Sequence, residues 1–300
     1  FSGFGALLDD VKPATVVVQG DTATVAVAAW AAFLARIEVA HVEAGLRSHD
    51  KWQPFPEEIN RRITGGLADW HFAPTPGAVT ALRHEHVAED RIVLAGNTVV
   101  DALQLLRSRL GAAGPPLGLD PQRPLMIATI HRRENFGAPL QHVCDAIQQI
   151  AARHPALQIV LPLHPNPDAG RLVREQLQHL PSVTLCEALG YEDFVRLMLN
   201  ATVALSDSGG IQEEGPALGL PVLVLREVTE RPEGVTAGSV RLIGTASARI
   251  VAEVDRLLTD DVAYRIMATP RQVYGDGLAA ERIADVLTTG TLQRAPFQPA

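Results

Sequence analysis

The chain has 300 residues and a formal net charge of −8, with 47% hydrophobic and 20% charged residues. This composition excludes a disordered chain and leaves enough apolar residues for the cores of two domains of ordinary size. The negative charge excludes a broad nucleic-acid interface, which needs a basic face, so an anionic ligand must be held by local cations and backbone amides.

Short apolar runs alternate with helix-length segments along the chain. The runs lie at residues 15–18, 37–42, 70–72, 92–94, 125–130, 159–163, 183–185, 203–205, 221–225 and 240–243. Helix-like stretches lie between most of them, for example at residues 23–35, 99–110 and 140–153. This alternation predicts parallel sheets made of βαβ units, whose near-continuous Val, Ile and Leu strands are covered on both faces.

Three features predict a cytoplasmic protein without membrane association. The longest apolar run, residues 25–35, is too short to cross a bilayer and predicts a buried helix. The first residues do not have the pattern of a signal peptide. Cys144 and Cys186 lie far apart without metal-ligand spacing, as is typical of thiols in a reducing compartment.

A Gly- and Pro-rich segment, residues 111–124, marks the best domain boundary. We therefore predict an α/β protein with two Rossmann-like domains, residues 1–112 and 113–275, and a ligand cleft between them. In such sheets ligands bind beyond the carboxyl ends of the strands, so the loops that follow strands are the candidate sites.

The loop Ser-Asp-Ser-Gly-Gly at residues 206–210 follows an apolar run and precedes a helix. Glycines at a helix N-terminus let backbone N–H groups approach an anion, Ser208 can add a hydroxyl, and Glu214 can accept both hydroxyls of a ribose. The alternative is an ordinary helix cap made by a Ser or Asp. A cap does not need two glycines and two serines, so we favour a diphosphate site.

A second polar loop follows residues 125–130 and contains His131, Arg132 and Arg133. Two arginines can neutralise a diphosphate, and a histidine can act on it as a general acid. The alternative is a solvated basic turn. Arg231, after residues 221–225, can likewise reach a phosphate or pair with a neighbouring Glu. His164 ends another strand and is either structural or part of the cleft.

Acidic residues end strands in the first half of the chain. Asp21 and Glu43 follow two apolar runs, and Glu57 opens a helix after a proline. A structural role explains Glu57 well, either as an acid in the first turn of the helix or as the partner of Arg61. A structural role explains Asp21 and Glu43 less well. Carboxylates that converge on one cleft would suit abstraction and return of a proton. The sequence indicates no metal site and no redox cofactor.

Eight motifs in this order resemble the non-hydrolysing UDP-N-acetylglucosamine 2-epimerases: GDTAT, HVEAGLRS, PEEINRR, AGNTVVDAL, HRRENFG, SDSGGIQEEGP, TERPEGVTAGSVRLIGT and YGDG. The resemblance implies a glycosyltransferase-B-like fold, with residues 276–300 forming a helix that returns to the first domain and a tail. It also implies a homodimer, no cofactor, and reversible conversion of UDP-N-acetylglucosamine to UDP-N-acetylmannosamine. UDP is eliminated and re-added on the other face.

The resemblance also implies roles for individual residues. The catalytic residues it implies are Asp21, Glu43, Glu57 and His131. The UDP contacts it implies are Ser208, Gly209, Gly210, Glu214 on the ribose, Arg231, and Phe194 beside the uracil. A second, regulatory contact for the UDP-sugar falls on Arg132, Arg133 and His164.

The sequence departs from the family at its start, where a strand and a loop containing Arg, Pro and Glu are expected. The first domain is therefore predicted to be N-terminally incomplete, by about two βαβ units. Three alternatives stay open at this stage. They are a hydrolysing epimerase that releases N-acetylmannosamine and UDP, a glycosyltransferase of the same fold, and a UDP-binding fragment without turnover.

Overall fold

The computed structural model describes residues 2–132, 135–163 and 167–300. The chain divides into two compact units: unit 1 is Phe1–Asp101 with Tyr274–Ala300, and unit 2 is Ala102–Val273. The unit boundaries thus fall after residues 101 and 273, whereas the sequence places domain boundaries after residues 112 and 275. None of the described helices is long and apolar enough to cross a membrane.

Unit 1 alternates helices with the strands of one parallel sheet. Its elements are α1 (Ser2–Val11), β1 (Thr15–Gln19), α2 (Ala23–Leu34), β2 (Glu38–Val42), α3 (Glu57–Leu67), β3 (Trp70–Ala73), α4 (Pro76–His84) and β4 (Ile92–Leu94), and then α5 (Thr98–Leu110), which continues into unit 2. The strands lie in the order β1-β2-β3-β4, with Val17 opposite Ala40 and His41 opposite His71. Residues 39–42 of β2 are all buried, as expected for a strand covered on both faces.

Helix α2 departs from the prediction of a buried helix for residues 25–35. Its small residues, such as Ala29 and Ala32, are fully buried against the unit 1 core. The large residues Trp30, Phe33 and Leu34 are 44–58% exposed. The prediction was wrong for this face because hydrophobicity alone does not tell which side of an apolar helix meets the sheet.

Unit 2 contains a larger sheet flanked by helices. Its elements are β5 (Leu125–Thr129), α6 (Ala138–Arg153), β6 (Gln158–Pro162), α7 (Pro167–Leu177), β7 (Val183–Cys186), α8 (Tyr191–Asn200), β8 (Val203–Ser206), α9 (Gly209–Leu218), β9 (Val222–Val224), α10 (Pro232–Thr236), β10 (Val240–Leu242), α11 (Ser247–Thr259) and α12 (Asp261–Met267). Successive β5 residues enter opposite cores: Met126 packs in one apolar cluster and Ile127 in another. This period of two is what a strand covered on both faces requires.

The strand order of unit 2 is β10-β9-β8-β5-β6-β7, and each neighbouring pair is parallel. Chain order therefore runs outward in both directions from the β5/β8 pair, which makes this pair the topological switch point. The loops that leave the carboxyl ends of β5 and β8 diverge there and open the usual ligand crevice of a doubly wound sheet. The two parallel sheets confirm the predicted α/β class.

Helix α13 (Ala279–Thr289) belongs to unit 1. Its Ile283 and Val286 pack in the same apolar cluster as Phe72 of β3. Arg282 is buried, donates to the carbonyl of Ala95 at 3.0 Å and pairs with Asp276 at 2.6 Å. The helix is thus held to the unit 1 sheet by apolar packing and by one buried guanidinium.

Candidate active site

The unit 2 site is built on the switch-point strands. Thr129 and Ser206 end β5 and β8, lie opposite each other in the parallel register, and share a hydrogen bond of 2.6 Å between their hydroxyls. The chain then continues into the loop of His131 on one side and into the loop of residues 206–210 on the other. Two of the polar loops predicted from the sequence are thereby adjacent.

Asp207 organises both loops, and sequence reasoning missed it except as a cap. Its fully buried carboxylate accepts from the backbone N–H of His131 at 3.1 Å and of Arg132 at 2.9 Å, and from the Asn135 amide at 2.8 Å. Burial raises the pKa of Asp207, but the hydrogen bonds, led by that from His131, outweigh it and hold the pKa below its usual value. Asp207 is therefore an ionised anchor.

The predicted catalytic His131 is oriented by this anchor. Its Nδ1 lies 2.7 Å from Asp207 Oδ1, and its side chain is 42% exposed. A carboxylate at this distance places the proton on Nδ1 and leaves Nε2 as the nitrogen that exchanges a proton with a ligand. The arrangement suits a general acid that protonates, or stabilises, a departing phosphate oxygen.

Helix α9 begins at Gly209, and its N-cap residue Ser208 makes no side-chain capping hydrogen bond. The capping alternative for this loop thus loses its main support. The Ser208 backbone N–H instead donates to Ser206 Oγ at 2.9 Å. A Cβ at Gly209 would lie 2.8 Å from Arg231 Nη1, so the absent side chain lets the guanidinium reach the start of the helix. A cation at a helix N-terminus forms an anion site.

Arg231 pairs with neighbouring glutamates, which is one of the two possibilities that its position in the sequence left open. Its guanidinium donates to Glu213 and to Glu230, and all three side chains are buried. Arg226 also pairs with Glu230, at 3.1 Å. These carboxylates hold the Arg231 guanidinium in place against Gly209.

Glu214 lies one turn into α9 and is 5% exposed. Burial raises its pKa from 4.5 to about 6, while the hydroxyl of Tyr191, which donates to Oε1 at 2.6 Å, lowers it. A Cβ at Gly210 would lie 3.6 Å from Glu214 Oε2, so the carboxylate is beside the start of the helix. Phe194, predicted beside the uracil, is partly buried on α8.

Two of the predicted acids of unit 1 follow the ends of neighbouring strands. Asp21 follows β1, and Glu43 follows β2 with a positive φ of 68°. A Cβ at Gly20 would lie 3.6 Å from Glu43 Oε2, which places both acids around this glycine. The buried Arg61 donates to Asp21 Oδ2 through Nε at 3.0 Å and Nη2 at 2.6 Å. The structure thus fixes the Asp21 carboxylate from helix α3.

The paired glutamates that open α3 have different surroundings. Glu58 is fully buried, accepts from the backbone N–H of Ser48 at 3.0 Å and pairs with Arg61 and Arg62, which is a structural environment. Glu57 Oε2 is also shielded from solvent, and among the described residues it has no hydrogen-bond partner. Such an oxygen is costly unless it exchanges a proton or meets a ligand. This supports the choice of Glu57 over Glu58.

His41, which the sequence did not single out, supports the Asp21 turn. Its Nε2 lies 2.8 Å from the carbonyl of Gly20, directly before Asp21. Burial lowers the pKa of His41 to about 4, and a hydrogen bond to Gly20 opposes this only in part. His41 is therefore neutral at physiological pH and donates to the turn that presents Asp21.

The predicted regulatory residues are described only in part. Arg132 is half-buried; its backbone is tied to Asp207, and its Nη2 lies 4.0 Å from Glu230. Arg133 and His164 lie outside the described residues, so this contact stays a prediction.

Within residues 2–132, 135–163 and 167–300, no group of three or more His, Cys, Asp or Glu side chains is placed to hold a metal ion.

The family model for UDP-N-acetylglucosamine 2-epimerase matches residues 1–288. The UDP-N-acetylglucosamine 2-epimerase of Salmonella typhimurium is 47% identical over 293 residues, which are 95% of this chain and 78% of the relative. Similar solved structures include the Neisseria meningitidis UDP-GlcNAc 2-epimerase bound to UDP-GlcNAc, with a TM-score of 0.93, 39% identity, and coverage of 96% of this chain and 79% of that one. The S. aureus MnaA–UDP co-structure has a TM-score of 0.91, 35% identity, and coverage of 99% and 82%.

Proposed function

The chain belongs to the UDP-N-acetylglucosamine 2-epimerase family, and we propose that it interconverts UDP-N-acetylglucosamine and UDP-N-acetylmannosamine without net hydrolysis. The observation that carries the proposal is the switch-point site of unit 2. There the Asp207–His131 pair lies beside a helix N-terminus that Arg231 approaches closely. These groups provide hydrogen-bond donors and positive charge, which a departing nucleoside diphosphate needs.

The proposed reaction needs two kinds of residue, cations for the departing UDP and carboxylates for the C2 proton. The C2 proton is not next to a carbonyl, so it is not acidic in the bound sugar. Departure of UDP breaks the C1–O bond and makes C1 electron-poor, and a carboxylate can then remove the C2 proton to leave a 2-acetamidoglucal. UDP adds back to C1 while a proton returns to the other face of C2. Atoms and charge balance, and water is not consumed.

We assign the unit 2 residues to UDP. His131 is proposed to donate to the diphosphate, Ser208, Gly209, Gly210 and Arg231 to hold it, Glu214 to accept from the ribose, and Phe194 to lie beside the uracil. In support, Asp207 orients His131, the Gly209 N-terminus lacks a side-chain cap, and Arg231 is held by two carboxylates.

We assign proton transfer at C2 to the acids of unit 1, Asp21, Glu43 and Glu57. Arg61 fixes Asp21, and Glu43 Oε2 lies beside Gly20. Glu57 Oε2 is shielded from solvent and has no hydrogen-bond partner in the part of the chain that the structure describes. A two-base exchange needs carboxylates on opposite faces of the sugar, and a set of acids from three different loops can supply it.

The test is incubation of the protein with UDP-N-acetylglucosamine in D₂O, followed by NMR of the anomeric protons. We expect UDP-N-acetylmannosamine to appear and deuterium to enter at C2 of both sugars, with no stoichiometric accumulation of UDP. Steady release of UDP and N-acetylmannosamine would reverse the non-hydrolysing assignment. Binding of UDP in a calorimeter without epimer formation would leave only a UDP-binding protein.

We further propose that the protein forms a homodimer. In support, the exposed face of α2 has Val27, Trp30, Phe33 and Leu34 at 41–58% exposure, and exposed apolar patches of this kind are typical of interfaces. Light scattering after size exclusion should give twice the 32.2 kDa chain mass, and Trp30→Glu should shift it to the single-chain value. A single-chain mass for the unmodified protein would refute the dimer.

A cytoplasmic location stays a prediction from the sequence.

A further inference from the structure

Tyr191 makes a hydrogen bond that neither core packing nor the needs of its own hydroxyl explain. It is the first residue of α8, its side chain is 43% exposed, and its hydroxyl donates to Oε1 of the buried Glu214 at 2.6 Å. A surface tyrosine contributes little to a core, and its hydroxyl can be satisfied by water. The hydrogen bond is therefore informative about Glu214 rather than about the stability of α8.

The contact fixes one end of the Glu214 carboxylate. Glu214 Oε1 accepts from Tyr191, and Oε2 lies near the backbone of Gly210. A carboxylate has about four lone-pair positions, so one bond from Tyr191 leaves both oxygens able to accept from two adjacent hydroxyls. A hydroxyl at this position does not compete with a cis-diol and holds the carboxylate in one orientation for it.

The Tyr191 hydrogen bond also favours the ionised form of Glu214. Burial raises the pKa of Glu214, and the Tyr191 hydrogen bond opposes that rise. A protonated carboxyl group would present a donor where a diol hydroxyl needs an acceptor. The position of Tyr191 on α8 is also significant, because Phe194 follows it by three residues and lies on the same side of the helix. The residues proposed for base and ribose are thus linked through one helix face.

We propose that Tyr191 is a positioning residue that holds Glu214 as the acceptor of the ribose cis-diol and so determines the preference for ribonucleotides over 2′-deoxyribonucleotides. The inference rests on the proposed function, in which Glu214 contacts the ribose. Tyr191 is assigned no contact with the reacting C1 and C2 atoms, so its effect belongs in substrate binding and not in the chemical step.

The test is calorimetric titration of the unmodified protein and of Tyr191→Phe with UDP and with 2′-deoxy-UDP. The unmodified protein should prefer UDP. In Tyr191→Phe, affinity for UDP should fall by about tenfold, the size of one lost hydrogen bond to a charged group, and affinity for 2′-deoxy-UDP should fall much less. In the epimerase assay KM should rise by a similar factor, with kcat changed by less than about threefold.

Three further variants separate a specific role from a structural one. Tyr264→Phe, a half-buried tyrosine of α12 in the same unit, should leave both affinities unchanged. In a Glu214→Gln background, Tyr191→Phe should have little additional effect, because the two residues act through one contact. Glu214→Asp shortens the side chain and withdraws the carboxylate from Tyr191, so it should also reduce the preference for UDP. This variant tests the contact even if Tyr191→Phe does not fold.

The two proposals fail differently. If the unmodified protein binds UDP and makes the epimer, but Tyr191→Phe keeps the full preference for UDP over 2′-deoxy-UDP, the role of Tyr191 is wrong and the proposed function stands. If the unmodified protein binds neither nucleotide, both proposals are wrong.

Discussion

At the residue scale, Asp207 shows how one buried carboxylate combines two loops. It accepts from the backbone after β5 while it belongs to the loop after β8, and it also faces His131 Nδ1. The ring orientation of His131 is consequently set by a residue 76 positions away in sequence. Such a partner cannot be identified from the HRRENFG motif alone.

We predict that Asp207→Asn lowers kcat by on the order of 100-fold or more, with a smaller change in KM. An amide oxygen is a weaker acceptor for the two backbone N–H groups, and it does not stabilise a protonated imidazole. Steady-state kinetics with UDP-N-acetylglucosamine measure both constants. Asp145→Asn in α6, where Asp145 accepts from Gln141, is the matched control and should behave as the unmodified protein. Unchanged kcat in Asp207→Asn would contradict the role given to His131.

At Glu214, stability conflicts with the binding role that we propose for this residue. Its pKa is raised from its ordinary value of 4.5 to about 6 in the folded protein, chiefly by burial. The folded state therefore binds more protons than the unfolded state between these values, and the charge of Glu214 destabilises the fold as pH rises through this window. At pH 8 the cost is about 2 kcal/mol.

We predict that Glu214→Gln stabilises the protein at pH 8 by roughly this 2 kcal/mol and has almost no effect at pH 4.5. The amide keeps an acceptor for Tyr191 but removes the buried charge. The same variant should lose most affinity for UDP, because the ionised acceptor is gone. Urea unfolding at the two pH values and titration with UDP measure the two effects. Equal stability at pH 8 would show that burial does not penalise this carboxylate.

At the element scale, the N-terminus of α9 is the feature on which the proposed anion site depends. The helix begins with two glycines and no side-chain cap, and the Arg231 guanidinium lies where a side chain at Gly209 would be. Because Arg231 is buried and held by Glu213 and Glu230, it cannot move aside at low cost. The helix N-terminus and the guanidinium are thus one structural feature.

We predict that Gly209→Ala weakens UDP binding by at least about tenfold, since the new methyl group must displace the Arg231 guanidinium from the proposed diphosphate site. Circular dichroism should show that the fold is kept. The matched control is Gly66→Ala in α3, where an added Cβ meets no atom within 4 Å, and it should bind UDP normally. Normal affinity in Gly209→Ala would mean that the guanidinium does not contribute at that position.

At the scale of the whole molecule, we expect the two units to respond differently to acid. His41 and His71 of unit 1 lie opposite each other on β2 and β3, and burial lowers the pKa of each from 6.5 to about 4. The unfolded chain binds protons first as pH falls below 6.5, so stability that is present at pH 7 is lost toward pH 4. As the pH falls, the two histidines therefore destabilise unit 1, whereas protonation of Glu214 stabilises unit 2.

We predict that lowering the pH from 7 to 5 destabilises unit 1 by on the order of 3 kcal/mol. All three tryptophans, Trp30, Trp52 and Trp70, belong to unit 1, so tryptophan fluorescence during urea unfolding reports on this unit alone. The urea midpoint should fall at pH 5. A His71→Gln variant should show a smaller fall, and a midpoint that does not change with pH would argue against buried neutral histidines.

The sequence alone determined the α/β class, the strand positions and the family, and the structure and its relatives confirm these. They follow from local periodicity and from motifs read in order, which need no knowledge of distant contacts. It also placed polar loops at strand ends, and parallel strands bring such ends to one edge of a sheet. The roles given to Asp21, Glu43, Glu57 and the UDP contacts stay predictions.

Only the tertiary structure decided which residues support these loops. Asp207 beneath His131, Arg61 beside Asp21, and Tyr191 on Glu214 are pairs separated by many residues, and each depends on sheet order and side-chain direction. It also distinguished Glu58, buried and paired, from its neighbour Glu57, and the exposed from the buried face of α2. The physical reason is common to all of them. Burial and hydrogen bonding depend on which surfaces meet, and residue type and local spacing do not specify that.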